Sequence, residues 1–124
     1  MSANKTVGSE RGSASALMTG MMGVVVALSS AALVIAGYAT GYHRARVAAD
    51  LSALSGAAAF RQGDDACAQV RQTARLNGAR VVRCDLVGDA IDFVVTVRVS
   101  VAARTRIPQL PRTVAAEAHA GPVR

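Results

Sequence analysis

The chain has 124 residues and a formal charge of +6 from 14 basic and 8 acidic side chains; 52% of its residues are hydrophobic and only 3% aromatic. This size leaves room for one small domain beside any long apolar segment. The composition disfavours nucleic-acid binding, because the arginines are scattered singly and lack the aromatic residues on which bases stack. The positive charge instead favours attraction to anionic lipid headgroups.

The N-terminal third of the chain predicts a membrane anchor. Residues 1–12 are polar without apolar periodicity, which predicts a disordered cytoplasmic lead. No charged side chain occurs between Arg11 and His43, and residues 17–42 are almost wholly apolar or small. Since about 20 such residues cross a bilayer as a helix, we predict one transmembrane span. The alternatives are a buried core helix, for which the remaining apolar mass is too small, and a signal peptide cleaved near residues 57–59.

Two sets of residues predict where other helices contact this span and where it leaves the membrane. Small residues four positions apart favour close approach of another helix in lipid, although a high alanine content produces the same pattern. They are Ala16, Gly20, Ala32, Ala36, Gly37 and Gly41. Tyr38 and Tyr42 lie one turn apart just before Arg44, which predicts the membrane–water interface. Basic residues flank both ends about equally, so the positive-inside rule leaves the orientation open.

The helix is predicted to continue beyond the membrane. No proline interrupts the pattern before the turn at Gly63, so we predict one continuous helix over residues 13–61. Apolar residues recur at helical spacing in its second half and form one narrow apolar stripe. They are Val47, Leu51, Leu54 and Ala58. Asp65 then caps a short helix over residues 65–76, which Asn77 and Gly78 end.

After the second helix, apolar and polar residues alternate with a period of two, which is typical of β-strands. Residues 79–87 and 90–103 are rich in valine and predict a hairpin around Gly88 and Asp89, and the alternation over residues 114–120 predicts a third, edge strand. The predicted fold class is α+β. A long transmembrane helix continues outside the membrane, and a short helix then packs on a two- to three-stranded antiparallel meander in a small domain over residues 62–121.

Cys67 and Cys84, the two cysteines, both fall in this small domain. Two cysteines without a neighbouring histidine make a poor zinc site. The choice is therefore between a disulfide and two buried thiols, and a small domain behind a membrane helix favours the disulfide. Closing a loop of about 17 residues stabilises a domain by about 3 kcal/mol in the chain-entropy description. A disulfide also predicts that the domain lies on the oxidising, extracytoplasmic side.

Two stretches carry a family resemblance. Arg11-Gly12-Ser13 before the apolar run, and the alanine-rich residues 46–57 after it, resemble TadE/TadG-type proteins of the tight-adherence (Flp) pilus system. The later order of Cys67, Asn77-Gly78, Cys84 and alternating valines is similar to a short actinobacterial TadE-like subgroup. The resemblance implies a pilin-like, single-span envelope protein, with its N-terminus in the cytoplasm and its C-terminal domain outside.

The chain departs from this family at the processing site. The family's pseudopilins are cleaved after a glycine and carry a glutamate five residues into the mature chain; counted from Gly12, that position is Leu17, which is not a glutamate. The departure favours a fixed anchor or accessory component over a major filament subunit.

The sequence contains no recognisable catalytic constellation. His43 and His119 stand apart from other candidate groups, and helix capping accounts for Asp64 and Asp65. We predict no enzyme, no cofactor and no metal site. The predicted function is a structural or accessory component of a pilus-like or secretion-associated envelope complex. Its partners are the lipid bilayer and other single-span proteins of that complex, with no nucleic acid and no small-molecule substrate. The alternatives are a cleaved, secreted binding protein and a single-span regulator whose domain faces inward.

Overall fold

The computed structural model describes residues 7–104 and 107–122, with side chains from residue 12 onward. Two helices, α1 (Val7–Arg61) and α2 (Ala66–Leu76), precede three strands, β1 (Arg80–Gly88), β2 (Phe93–Ala102) and β3 (Thr113–Ala120). The strands form one antiparallel sheet in the order β1-β2-β3. The predicted α+β class is confirmed at this level: a long apolar helix, a short helix and a three-stranded sheet.

The long helix α1 has 55 residues. It begins at Val7, whereas we expected a disordered segment up to residue 12, and it ends at Arg61 as predicted. By length and composition α1 is a candidate membrane span, and its most apolar window is wholly exposed. The chain divides into two compact units, Met1–Ile35 and Ala36–Arg124. In its described part the first unit is helix alone, and all other elements belong to the second.

Capping side chains set the ends of α2, as the sequence predicts. The Asp65 carboxylate accepts a hydrogen bond from the backbone N–H of Ala68 at 3.0 Å. At the other end, the Asn77 side-chain amide donates to the carbonyl oxygen of Thr73 at 2.8 Å. Gly78 follows with a φ of +69°, a conformation that glycine adopts readily. These local interactions start and stop the helix at the predicted places.

The β1–β2 turn is longer than predicted. It spans residues 89–92, so β2 begins at Phe93 rather than at residue 90. Gly88 ends β1 with a φ of +119°, and a Cβ there would overlap the carbonyl oxygen of Asp92, so the position requires glycine. The Asp89 carboxylate then accepts from the backbone N–H groups of Ile91 and Asp92, both at 2.8 Å. Residues 90–92, which the alternation predicts to be part of a strand, therefore lie in this Asx-type turn.

One face of the sheet forms the core of the second unit. The alternate residues of β2 from Phe93 to Val101 are buried, and they cluster with Val70 of α2 and with buried alanines of α1. Those alanines are Ala45, Ala48, Ala49 and Ala53. A Cβ placed on Gly56 would lie 2.5 Å from Cγ2 of Val70, which marks where α1 and α2 approach most closely. Both helices therefore pack on the same face of the sheet.

The apolar stripe of α1 beyond the membrane span is exposed. Val47, Leu51 and Leu54 are 54%, 44% and 62% exposed. The neighbouring small residues are buried instead, among them Ala49 and Ser52 at 0% exposure. The distance between packed elements depends on the side chains at their contact, so a face of alanine, serine and glycine lets the helix approach the sheet closely. The large side chains remain on the opposite face.

Candidate functional site

The disulfide joins the two layers of the second unit. Cys67 of α2 and Cys84 of β1 are bonded, with their Cα atoms 6.0 Å apart and a separation of 17 positions along the chain. Cys84 lies opposite Val97 in the sheet and packs against the core. The bond therefore ties α2 to the first strand over the buried face, and the predicted pairing of the two cysteines is present in the structure.

The six small residues predicted to contact other helices fall into two groups. Ala16, Gly20, Ala32 and Ala36 are exposed along α1. Gly37 and Gly41 instead face their own chain, since an added Cβ would lie 3.6 Å from the carbonyl oxygen of Arg104 and 3.5 Å from Cγ2 of Val114, respectively. For this last pair the described neighbours are β3 and the segment after β2, and their predicted contact with another helix stays a prediction.

Tyr38, Tyr42 and Arg44 differ in their surroundings, although we expected all three at a membrane interface. The Tyr38 hydroxyl donates a hydrogen bond to the carbonyl oxygen of Pro111 at 2.9 Å. Tyr42 is 50% exposed, and Arg44 is exposed as well. Tyr38 thus fastens the β2–β3 loop to α1, a contact between residues 73 positions apart that local patterns do not reveal.

The outer face of the sheet carries ion pairs beside exposed valines. Arg83 pairs with Asp85 on β1, and Arg98 of β2 lies 3.9 Å from Glu117 of β3. On α1, Arg46 lies 3.7 Å from Asp50. Each of these exposed pairs contributes about a few tenths of a kcal/mol, which is typical of a surface salt bridge.

His119 is not isolated, contrary to our expectation. Its Nδ1 lies 2.9 Å from Oγ1 of Thr96, and its Nε2 lies 3.5 Å from Oε1 of Glu117. A hydroxyl, an imidazole and a carboxylate in this order resemble a nucleophile, a base and an orienting acid. All three are exposed cross-strand or same-strand neighbours on an open sheet face, where register alone accounts for their proximity.

The turn carboxylate Asp89 is the one described group whose pKa departs clearly from its ordinary value. Hydrogen bonds from the backbone N–H groups of Asp92 and Ile91 lower the pKa of Asp89, because they stabilise the charged form. This is a property of the turn, and a group with a lowered pKa at a solvent-exposed loop is not poised to take up a proton near neutral pH.

The described residues contain no group of three or more histidine, cysteine, aspartate or glutamate side chains that could hold a metal ion. The predicted absence of an enzyme activity, a cofactor and a metal stays a prediction. Comparison with known proteins gives no match to a protein-family model, to a curated protein or to a solved structure.

Proposed function

We propose that the chain is a non-enzymatic, single-pass membrane protein that serves as a structural or accessory component of a pilus-like envelope assembly. One observation carries the proposal. A single helix, α1, is apolar and exposed in its N-terminal part, while its C-terminal part forms one wall of a disulfide-tied α+β domain. The same helix therefore contributes both the candidate anchor and part of the domain core.

The disulfide supports one side of the membrane for the domain. Disulfides persist in oxidising compartments and are rare in the cytosol, so the Cys67–Cys84 bond supports an extracytoplasmic domain and a cytoplasmic N-terminus. The resemblance of residues 11–13 and 46–57 to TadE-like sequences supports the same orientation and supplies the link to pilus assembly.

The packing of α1 argues against the cleaved, secreted form. Cleavage near residues 57–59 would remove Ala45, Ala48, Ala49 and Ala53 from the core of the second unit. The valines of β2 that these alanines cover would then face water, at a cost of about 25 cal/mol for each Å² of apolar surface exposed. Retention of the whole helix keeps this core intact.

Lateral contacts of α1 supply the assembly mechanism in this proposal. The four exposed small residues Ala16, Gly20, Ala32 and Ala36 of α1 allow another helix to approach within the bilayer. Outside the membrane, Val47, Leu51 and Leu54 form an exposed apolar stripe on α1. We assign the small residues to contacts with single-span partner proteins; the same role stays a prediction for Gly37 and Gly41, whose described neighbours lie in the same chain.

The topology is tested by thiol labelling in intact cells. A membrane-impermeant thiol reagent is applied before and after reduction, and the mass of the protein is measured. We expect Cys67 and Cys84 to react only after reduction, because they are bonded and outside the membrane. Reaction only after lysis, with no need for a reductant, would place the domain in the cytoplasm and favour the inward-facing regulator.

The assembly role is tested by photo-crosslinking within the membrane. A photoreactive amino acid replaces Ala32, which is exposed on α1, and the control chain carries it at Ile91, which is 85% exposed in the β1–β2 turn. We expect crosslinks from position 32 to a second copy or to other single-span envelope proteins, identified by mass spectrometry. Crosslinks to lipid alone from position 32 would contradict an assembly role while leaving the membrane anchor in place.

A further inference from the structure

Five exposed arginines of the second unit, none of them in an ion pair with a described residue, gather at one end of it. An exposed cleft lined by Thr40, Arg44 and Arg104 adjoins Gly37, and a second cleft continues from Arg44 to Gly78. A third cleft begins at Gly78 and is lined by Arg75, Arg80 and Thr113. Arg112 ends the β2–β3 loop, where its carbonyl oxygen accepts from the N–H of Ala103 at 2.8 Å. We call the five exposed residues Arg44, Arg75, Arg80, Arg104 and Arg112 the basic end.

The acidic side chains lie elsewhere. Asp50, Asp85 and Glu117 pair with arginines outside the basic end, and Glu117 also lies near His119. Asp64 and Asp65 follow α1, and Asp89 and Asp92 lie in the β1–β2 turn. The ring centroids of Phe60 and Phe93 lie 4.6 Å apart. The two acidic segments beside these rings therefore lie together, at the end of the second unit opposite the basic end. The second unit is therefore electrically polarised along its length.

The basic end adjoins the last residues of the apolar run of α1. The Tyr38 hydroxyl binds Pro111, and Gly37 lies against Arg104, so the β2–β3 loop is held beside residues 37–41. The same loop contains Ile107, 38% exposed, and Leu110, which is half-buried. Arginine beside apolar and tyrosine side chains is the composition of a surface that meets lipid headgroups, where guanidinium groups bind phosphates bidentately.

We propose that the basic end docks on the phosphate groups of an anionic phospholipid bilayer and thereby fixes the domain against the membrane surface. This inference rests on the proposed function, since the bilayer is the one that α1 enters. Charge complementarity favours an anionic bilayer as the partner. The five arginines lie beside the last residues of the apolar run, and anionic headgroups lie at the corresponding depth in a membrane. The acidic end then points away from the same negative surface.

Fluorescence can test this docking, because the chain contains no tryptophan. The full chain carrying Gln109→Trp, in the β2–β3 loop, is reconstituted in phosphatidylcholine discs with and without phosphatidylglycerol. Ile91→Trp at the acidic end is the matched control. We expect the tryptophan at position 109 to shift to shorter emission wavelength and to be quenched by brominated lipids in anionic discs, and the control tryptophan to respond in neither.

Charge reversal identifies the groups responsible. Arg104→Glu in the basic end is compared with Arg61→Glu, an exposed arginine at the end of α1 beside the acidic end. One arginine near an anionic surface strengthens attraction about fivefold, so Arg104→Glu is expected to lower the ratio of docked to undocked domain at least about fivefold. The Arg61→Glu chain should behave as the parent does. Raised salt should reproduce the loss, because it screens exposed charge.

Several results would overturn the docking. They are equal emission in neutral and anionic discs, an equal effect of the two charge reversals, and a response to soluble glycerol phosphate in neutral discs, which would indicate a free-phosphate site instead. Alkaline extraction of neutral vesicles separates this failure from that of the proposed function. A chain that is extracted lacks the membrane anchor altogether, whereas a chain that is retained without a response at position 109 lacks only the docking.

Discussion

The two faces of α1 beyond Gly41 use side chains of opposite size. The face toward the sheet carries alanine, serine and glycine, and Ala49 and Ser52 are fully buried. The opposite face carries Val47, Leu51 and Leu54, each more than 40% exposed. Burial here follows the distance of approach rather than hydrophobicity, because small side chains bring the helix backbone close to the valines of β2.

One face of α1 contributes to folding, and the other is exposed and available for association. The small face builds the domain, and its packing leaves no space for larger side chains. The large face contributes little to the domain and is the part of α1 outside the apolar run that is free, within the described residues, to meet another apolar surface. Substitutions on the two faces should therefore have separate consequences, the first on stability and the second on association.

The largest expected effect comes from the covalent bond that holds α2 over the small face. Replacing Cys67 and Cys84 together by alanine should lower the free energy of unfolding of the second unit by about 3 kcal/mol, because the unfolded chain regains the entropy of an open loop. Hydrogen exchange at the Val97 amide in detergent-solubilised protein measures this change. The parent chain under reducing conditions should show the same loss, and an unchanged exchange rate would contradict it.

Overfilling the small face should cost somewhat less. Ala49→Leu places three additional carbon atoms against β2, where Ala49 is 0% exposed, and we expect a loss of about 2 kcal/mol from overpacking. Leu51→Ala on the large face is the matched control and should change stability by less than about 0.5 kcal/mol. The same exchange measurement at Val97 applies to both, and equal losses would remove the distinction between the faces.

A gain in stability is expected at one position of the small face. The Ser52 hydroxyl is buried without a hydrogen-bond partner, and such a group costs about 1 kcal/mol or more. Ser52→Ala should therefore stabilise the second unit by about 1 kcal/mol. Ser55→Ala is the control, and we expect it to lower stability, because the Ser55 hydroxyl donates a hydrogen bond to the carbonyl oxygen of Ser52 at 2.9 Å. A loss of stability in Ser52→Ala, measured by thermal unfolding, would show that its hydroxyl is satisfied.

The smallest effect concerns the acidic end. Because the folded state lowers the pKa of Asp89, the turn is stabilised at pH values above the unfolded pKa of this carboxyl, and that stabilisation is lost as the pH falls through the folded value. The protection of the Ile91 and Asp92 amides, measured relative to the intrinsic exchange rate at each pH, should fall in acid over this range. Asp89→Asn should remove this pH dependence, while the protection of amides within α2 stays constant in both chains.

Local signals in the sequence predicted the elements well. The caps at Asp65 and Asn77 set α2 because each acts on backbone groups within four residues. Alternation likewise located β2 and β3, although the turn chemistry of Gly88 and Asp89 delayed the start of β2. The candidate site was predicted less completely: the cysteine pair was found, whereas the contacts of Tyr38, Gly37 and Gly41 were not, since their partners are distant in sequence.

By itself the sequence determined an apolar helix long enough to cross a membrane, a second helix with its caps, a valine-rich sheet and a pair of cysteines, because period, length and capping are properties of neighbouring residues. Only the tertiary structure decided which face of α1 is buried, since this depends on how closely a helix of small residues approaches the sheet. It also decided that five arginines scattered along the chain meet at one end, because strand register and two connecting segments bring them there.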